Sequence, residues 1–222
     1  MARTLAGSHV VVVGATGVLG ARIAAHFTAA GARVSAIVRD HTRLDGASVS
    51  QYALADVTDH AELAAAFASV APFDGVVNAS GVVAFGNVTE LDDATLARLF
   101  AVNAIAPIVM LREAAPHLVD GGFFVNLSGV VAAQPVAGMA AYSASKAAAW
   151  AAMTAAAREL RRRRIDVIDA RPPHTETGLA NRPIAGVAPK MPVGLSPDVV
   201  AARIVSAVVA GERELSAEAF TA

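Results

Sequence analysis

The 222-residue chain has no cysteine. That excludes disulfides, a thiol nucleophile and thiolate metal ligands. Charge is scarce and balanced: 17% of residues are charged, and 18 basic residues offset 19 acidic ones to a formal net charge of −1. Such a balance offers no basic footprint for nucleic acid. No uninterrupted apolar run reaches the roughly 18 residues of a spanning helix. The mean hydropathy of +0.51 comes instead from alanine and short valine runs. Residues 1–8 lack a hydrophobic signal core, so a cytoplasmic protein without membrane contact is expected. The sequons at Asn78, Asn87 and Asn126 are then chance matches. The six histidines show no ligand spacing, and no metal is expected. There is no Gly-x-Ser-x-Gly elbow, which argues against an α/β-hydrolase. With 55% hydrophobic residues the chain is not disordered, and its length suits one domain over 1–222.

Strand and helix patterns alternate along that length. Strands are predicted at 9–13, 34–38, 49–54, 75–78, 123–127 and 165–170. Helices are predicted at 17–30, 59–70, 92–118, 142–164 and 198–210. Residues 171–197 are rich in Pro and Gly and read as a loop, a candidate substrate lid. The tail 211–222 suits either a short edge strand or a frayed end. Alternation of this kind implies an α/β fold: a doubly wound, Rossmann-type parallel sheet with helices on both faces.

The first strand runs into Gly14-Ala15-Thr16-Gly17-Val18-Leu19-Gly20 and then a helix. Glycine lets the backbone turn tightly and approach a pyrophosphate. The helix start adds free N–H groups and a positive dipole end. The second strand ends in Val38-Arg39-Asp40. Asp40 would hold ribose hydroxyls and argues for NAD; Arg39 would attract a 2′-phosphate and argues for NADP.

Tyr142-Ser143-Ala144-Ser145-Lys146 opens a predicted helix. Residues four apart share a face, so phenol and ammonium point the same way. The chain holds only two tyrosines and two lysines, so this spacing is not an accident of composition. A phenol titrates near 10, too high for work near neutrality, and a neighbouring ammonium in a dry site lowers it.

With these residues the sequence resembles the short-chain dehydrogenase/reductase family over roughly residues 7–210. The glycine loop, Asp56-Val57, Asn78-Ala79-Ser80-Gly81, Val102-Asn103 and the Tyr142/Lys146 pair stand in the family's order and spacing. The resemblance implies an oxidoreductase that moves a hydride between a nicotinamide and a small carbonyl or secondary alcohol. It implies that Tyr142 exchanges the proton and that Lys146 holds the nicotinamide ribose and lowers the phenol. Asn103 would position a relay water, Asp56 would contact adenine, and Val57 and the turn from Asn78 to Gly81 would line the cofactor. Pro172 and Thr175 would lie beside the nicotinamide, and Thr177 near the phosphates. In the family a 2′-phosphate arginine falls where Arg39 stands, and the NAD-selecting acid falls where Val38 stands. NADP(H) is therefore favoured over NAD(H). The helix with the small-residue run 147–157 commonly meets its copy in another subunit, which implies a homodimer or homotetramer.

This chain departs from the pattern in four places. Its glycine spacing is that of longer members. Asn78-Ala79-Ser80-Gly81 replaces Asn-Asn-Ala-Gly. Pro172-Pro173 replaces Pro-Gly, which removes an N–H and fixes φ. Gly129 occupies the place of the substrate-orienting serine, and Ser128 one residue earlier is the candidate to replace it. The Gly129 and Pro173 departures also support an alternative reading, a catalytically silent NADP-binding regulatory or scaffold protein. His174, in the loop, is a lesser candidate for substrate contact. Arg161–Arg164 read as a solvated helix end.

Overall fold

Val10–Val13 are fully buried in strand β1 (His9–Val13). A strand apolar on both faces belongs to a sheet covered on both sides. The computed structural model describes residues 3–46 and 48–221, so Ala222 of the tail lies outside the described residues. Seven parallel strands run in the order β3-β2-β1-β4-β5-β6-β7. They are β1, β2 (Arg33–Val38), β3 (Gln51–Leu54), β4 (Phe73–Asn78), β5 (Leu118–Leu127), β6 (Asp166–Ala170) and β7 (Glu214–Leu215).

Helices α1 (Val18–Ala29) and α6 (Pro197–Ala210) cover one face, around Ile23, Phe27 and Ile204. On the other face lie α2 (His60–Val70), α3 (Asp93–Phe100), α4 (Ala106–Ala114) and α5 (Ala140–Glu159). There α2, α4 and α5 bury Leu63, Phe67, Met110 and Met153. Asp59 and Asp92 cap α2 and α3, and Ser196 caps α6, with side-chain oxygens. The chain leaves β1 towards β2 on one side and returns with β4 on the other. A crevice therefore opens where β1 and β4 diverge.

Some boundaries differ from the sequence reading, most of all between residues 92 and 127. The stretch predicted as one helix over 92–118 is α3, a π-helical turn Ala101–Ile105 and α4, and β5 already starts at Leu118. Pro107 accounts for the wide turn. Its ring clashes with the carbonyl four residues back, that of Asn103, and it has no N–H to offer that carbonyl. The rod Asp93–Ala114 has 22 residues and a window hydropathy of 1.8, long and apolar enough to cross a membrane. More than half of that window is buried, on a face shared with α2 and α5, as in a core helix. Of the two alternatives for the tail, the structure has the short edge strand, β7, with Asp169 opposite Glu214 and Ala170 opposite Leu215.

Among the described residues no helix joins β2 to β3. Residues 39–46 and 48–50 form coil and turns, and His41 stacks on Tyr52 with ring centroids 4.8 Å apart. The loop 171–197 is closed at its base. Glu176 donates its main-chain N–H to Leu195 at 2.9 Å, and Leu195 donates to His174 at 2.8 Å. Its middle docks on the residues after β4, with Ile184 donating to Val83 at 2.8 Å and Phe85 to Ala185 at 3.0 Å.

Candidate active site

A groove of about 840 Å³ crosses the carboxyl ends of the strands, from the glycine loop to the loop 171–197. At one end Gly14 has φ +83°, and a β-carbon there would stand 3.1 Å from the Ser80 nitrogen. A β-carbon on Gly20 would stand 2.3 Å from the Gly14 carbonyl oxygen. Gly20 thus lets α1 begin hard against the end of β1, with its first N–H groups facing the groove, and Gly14 lets the turn after β4 approach the loop. Gly17 precedes α1 with no side-chain cap. Gly14, Thr16, Gly17, Val18 and Leu19 line the groove; Gly20 is spent on packing.

Beyond β2, the two ends of residues 39–43 differ in what they offer. Asp40 accepts from the Thr42 N–H and hydroxyl, each at 2.9 Å, and these bonds hold its carboxyl below the usual range. Arg39 is largely exposed at the groove, with Nη1 4.0 Å from Asp56. Arg43 reaches back and donates to the Thr16 carbonyl at 2.8 Å. Burial would raise Asp56, but the two Thr58 bonds and the charges of Arg98 and Arg39 outweigh it and hold its carboxyl low. Val57 lines the same wall.

After β4, the Asn78 carboxamide oxygen accepts from the Ser80 N–H at 3.1 Å and hydroxyl at 2.6 Å, making a tight turn. Ala79, Ser80 and Gly81 face the groove, whereas Asn78 is buried beneath it. Asn103 sits in the π-helical turn. Its side chain accepts from Val82 N–H at 3.0 Å and donates to Val82 carbonyl at 2.9 Å and to Ser145 Oγ at 3.1 Å. It buttresses the groove from behind and does not line it.

Tyr142 and Lys146 lie one turn apart on α5, both on the groove. Their side chains have different partners. Lys146 Nζ donates to the Leu127 carbonyl at 2.8 Å. Burial pulls the ammonium down to about 8, against the opposing charge of Asp169. The phenol keeps some surface in the groove, yet desolvation by the surrounding residues pushes it up to about 12. The expectation of a phenol already lowered by its neighbour therefore does not describe the protein alone: the ammonium points at a strand carbonyl, and burial dominates.

Ser128 reaches the groove floor, but its hydroxyl donates to Asp169 Oδ1. Gly129 turns the backbone at φ +81°, as a glycine after the strand permits, without turning that hydroxyl to the substrate side. Pro172, Thr175 and Thr177 line the wall opposite, as do Pro173 and His174.

The profile described as short chain dehydrogenase matches residues 8–185. The chain belongs to this family. It is a dehydrogenase/reductase of the class acting on CH–OH and C=O groups. An uncharacterised oxidoreductase of Methylorubrum extorquens is 29% identical over 195 residues, 82% of this chain and 78% of that protein. A galactitol 2-dehydrogenase (L-tagatose-forming) of Cereibacter sphaeroides is 35% identical over 158 residues, 65% of this chain and 62% of that protein. A short chain dehydrogenase from Burkholderia cenocepacia, solved with NADP, superposes with a TM-score of 0.87 at 26% identity, covering 98% of this chain and 91% of that one.

Two residues of this short chain dehydrogenase were not found from the sequence. Arg43 lies in coil outside any motif. Asp169 is a carboxylate inside a central parallel strand, where apolar residues are the rule, and that anomaly is the signal that marks it.

Proposed function

We propose that the protein is an NADP-dependent oxidoreductase that transfers a hydride between nicotinamide and a small carbonyl or secondary alcohol, with Tyr142 as acid/base. The observation that carries this reading is the placement of Tyr142 and Lys146 one turn apart on the same groove that starts at the glycine loop. NADP(H), when bound, supplies or takes the hydride. The glycine loop and the start of α1 suit its pyrophosphate: Gly14, Thr16, Gly17, Val18 and Leu19 line that end of the groove, and Gly20 lets α1 start close against the loop. Asp56 and Val57 suit the adenine end, and Ala79–Gly81 line the middle. Pro172 and Thr175 flank the nicotinamide, and Thr177 the phosphates.

The choice of NADP over NAD is supported by the region after β2. Asp40 spends both carboxylate oxygens on Thr42, while Arg39 and Arg43 present two guanidinium groups to the groove. Paired guanidinium groups suit a phosphate dianion.

In reduction, Tyr142 donates its proton to the carbonyl oxygen; a phenol near 12 is fully protonated at neutral pH and ready to do so. Lys146 holds the nicotinamide ribose, and its charge stabilises the phenolate left behind. Asn103 positions the relay water, and its main-chain carbonyl lacks an i+4 donor because residue 107 is proline. The substrate end is walled by Val83, Phe85, Val131, Met139, Leu179 and Met191, which suits an apolar carbonyl compound. The protein is a cytoplasmic homodimer or homotetramer in this reading. Ile105 and Ile108 leave an apolar strip exposed at the start of α4, beside α5.

Thermal shifts with NADP(H) and NAD(H) test the cofactor claim: a ligand held only by the folded state raises Tm, and the larger rise is expected with NADP(H). A larger rise with NAD(H) refutes it. Tyr142→Phe, assayed with NADPH against a panel of ketones, is expected to lose turnover and keep NADPH affinity. Gly129, with no hydroxyl where the family orients substrate, favours a second reading, an NADP-binding regulatory or scaffold protein. NADPH binding with no turnover of any panel member by the unmodified protein would support it.

A further inference from the structure

Asp169 is the one buried carboxylate among the described residues, at 5% exposure. It shares with Val167 the face of β6 that α5 covers. A charge in such a place is costly unless it is bonded and paired. Asp169 Oδ2 accepts from Asn126 Nδ2 at 2.9 Å, and Oδ1 accepts from Ser128 Oγ. Asn126 in turn accepts from Asn78 Nδ2 at 3.0 Å. Asn78, Asn126 and Asp169 are register partners, so the row crosses three strands directly under the groove.

The residue between Asn126 and Ser128 is Leu127, and its carbonyl is the acceptor of the Lys146 ammonium at 2.8 Å. Asp169 therefore grips both neighbours of the atom on which Lys146 rests. Two buried cations stand close by. One is Lys146; the other is Arg171, with Nη1 3.6 Å from Asp169 Oδ1 and its guanidinium 4.3 Å above the Trp150 ring. Arg171 also pairs with the largely exposed Glu214 from β7. The phenol of Tyr142 lies one turn before Lys146 on α5, and His174 and Arg98 line the same groove.

We propose that Asp169 is the positioning residue and counter-charge of Lys146: through Asn126 and Ser128 it fixes the Leu127 carbonyl, and its negative charge keeps the ammonium protonated in a dry site. The proposal deepens the reading of Lys146 as the ribose-holding ammonium and takes its catalytic meaning from that reading. The shifts agree with the geometry. Burial lowers Lys146, and the charge of Asp169 opposes the fall. Burial raises Asp169, and Ser128, Asn126, Arg171 and Lys146 oppose the rise.

The chain has two lysines, Lys146 and the exposed Lys190, so a protein labelled with ¹³C at lysine Cε gives two resonances to follow against pH. Lys190→Arg assigns them. In Asp169→Asn the Lys146 midpoint is expected to fall by about one pH unit, a tenfold loss of proton affinity, while Lys190 stays put. An unmoved Lys146 midpoint in folded Asp169→Asn overturns the proposal. If that variant does not fold, the reciprocal measurement decides. In Lys146→Met the highest-titrating aspartate carboxyl is expected to rise further, and no rise overturns the proposal equally. NADPH affinity, followed by fluorescence, separates this idea from the proposed activity. Failure of the unmodified protein to bind NADPH refutes the activity and leaves the Asp169 assignment to the titration.

Discussion

The Lys146 ammonium lies 3.3 Å from the point that a β-carbon on Gly81 would occupy, and the Asn103 carboxamide oxygen lies 3.4 Å from the same point. The turn after β4, the π-helical turn and α5 thus converge on one hydrogen atom's worth of space. Gly81→Ala is expected to press on the lysine tip while leaving the core intact. Fluorescence titration should show NADPH affinity down by roughly tenfold, about 1.4 kcal/mol, with little change in Tm.

Gly20→Ala meets backbone instead of a flexible tip. Its β-carbon would fall 2.3 Å from the Gly14 oxygen, so α1 must move off β1. Urea unfolding is expected to show a loss of about 2–3 kcal/mol, together with lost NADPH binding. Gly46, whose β-carbon would meet nothing within 4 Å, serves as the control. Gly46→Ala is expected to be neutral or slightly stabilising.

Arg39 and Asp40 are adjacent but should respond oppositely to removal. Arg39→Ala is expected to weaken NADPH by about tenfold, as for a lost charge-assisted contact, and to leave NADH unchanged. Asp40→Ala should not weaken NADH, because both carboxylate oxygens already accept hydrogen bonds from Thr42. Dissociation constants for both cofactors in both variants check the pair.

Stability at alkaline pH should carry two opposed signatures. Lys146 is lowered from 10.5 to about 8, so between those values the unfolded chain holds a proton that the folded one has released. Stability then rises with pH across that window. Tyr142 is raised from 10.0 to about 12, so between those values the folded chain holds the extra proton, and stability falls. In Lys146→Met the rise should vanish and the fall remain. Tm measured from pH 7 to 12 in both proteins checks it.

Gly129→Ser tests whether the missing hydroxyl is a matter of space. A β-carbon there has its nearest contact at 3.9 Å, the Pro172 oxygen, so room exists, but φ is +81°. With ψ at 163° this is a backbone region that essentially only glycine adopts, and holding serine there is expected to cost about 1–3 kcal/mol, seen as a Tm several degrees lower, with NADPH affinity retained.

Much of this architecture was legible because local rules and global fold agree. Four valines ending at Gly14, with glycines where α1 must approach, identify β1 and the loop without further information. The Tyr142/Lys146 pair was legible because both residue types are rare here. The π-helical turn was not, since Pro107 alone signals a perturbation and not its kind. Nor was the direction of the Ser128 hydroxyl, which depends on Asp169, 41 residues later and on another strand. The state of the phenol is not legible from spacing for a similar reason. Helical spacing brings two side chains to one face, but the strand carbonyl that captures Lys146 is set by tertiary packing.

The bare connection between β2 and β3 has an outcome for how these molecules meet in concentrated solution. With no helix over that corner among the described residues, Tyr52 and Leu54 look outward from the sheet's outermost strand. That strand is only four residues long. Its shortness limits the open backbone available to a stray β-partner, so the corner tolerates its greasy surface without recruiting other chains into fibre-like stacks.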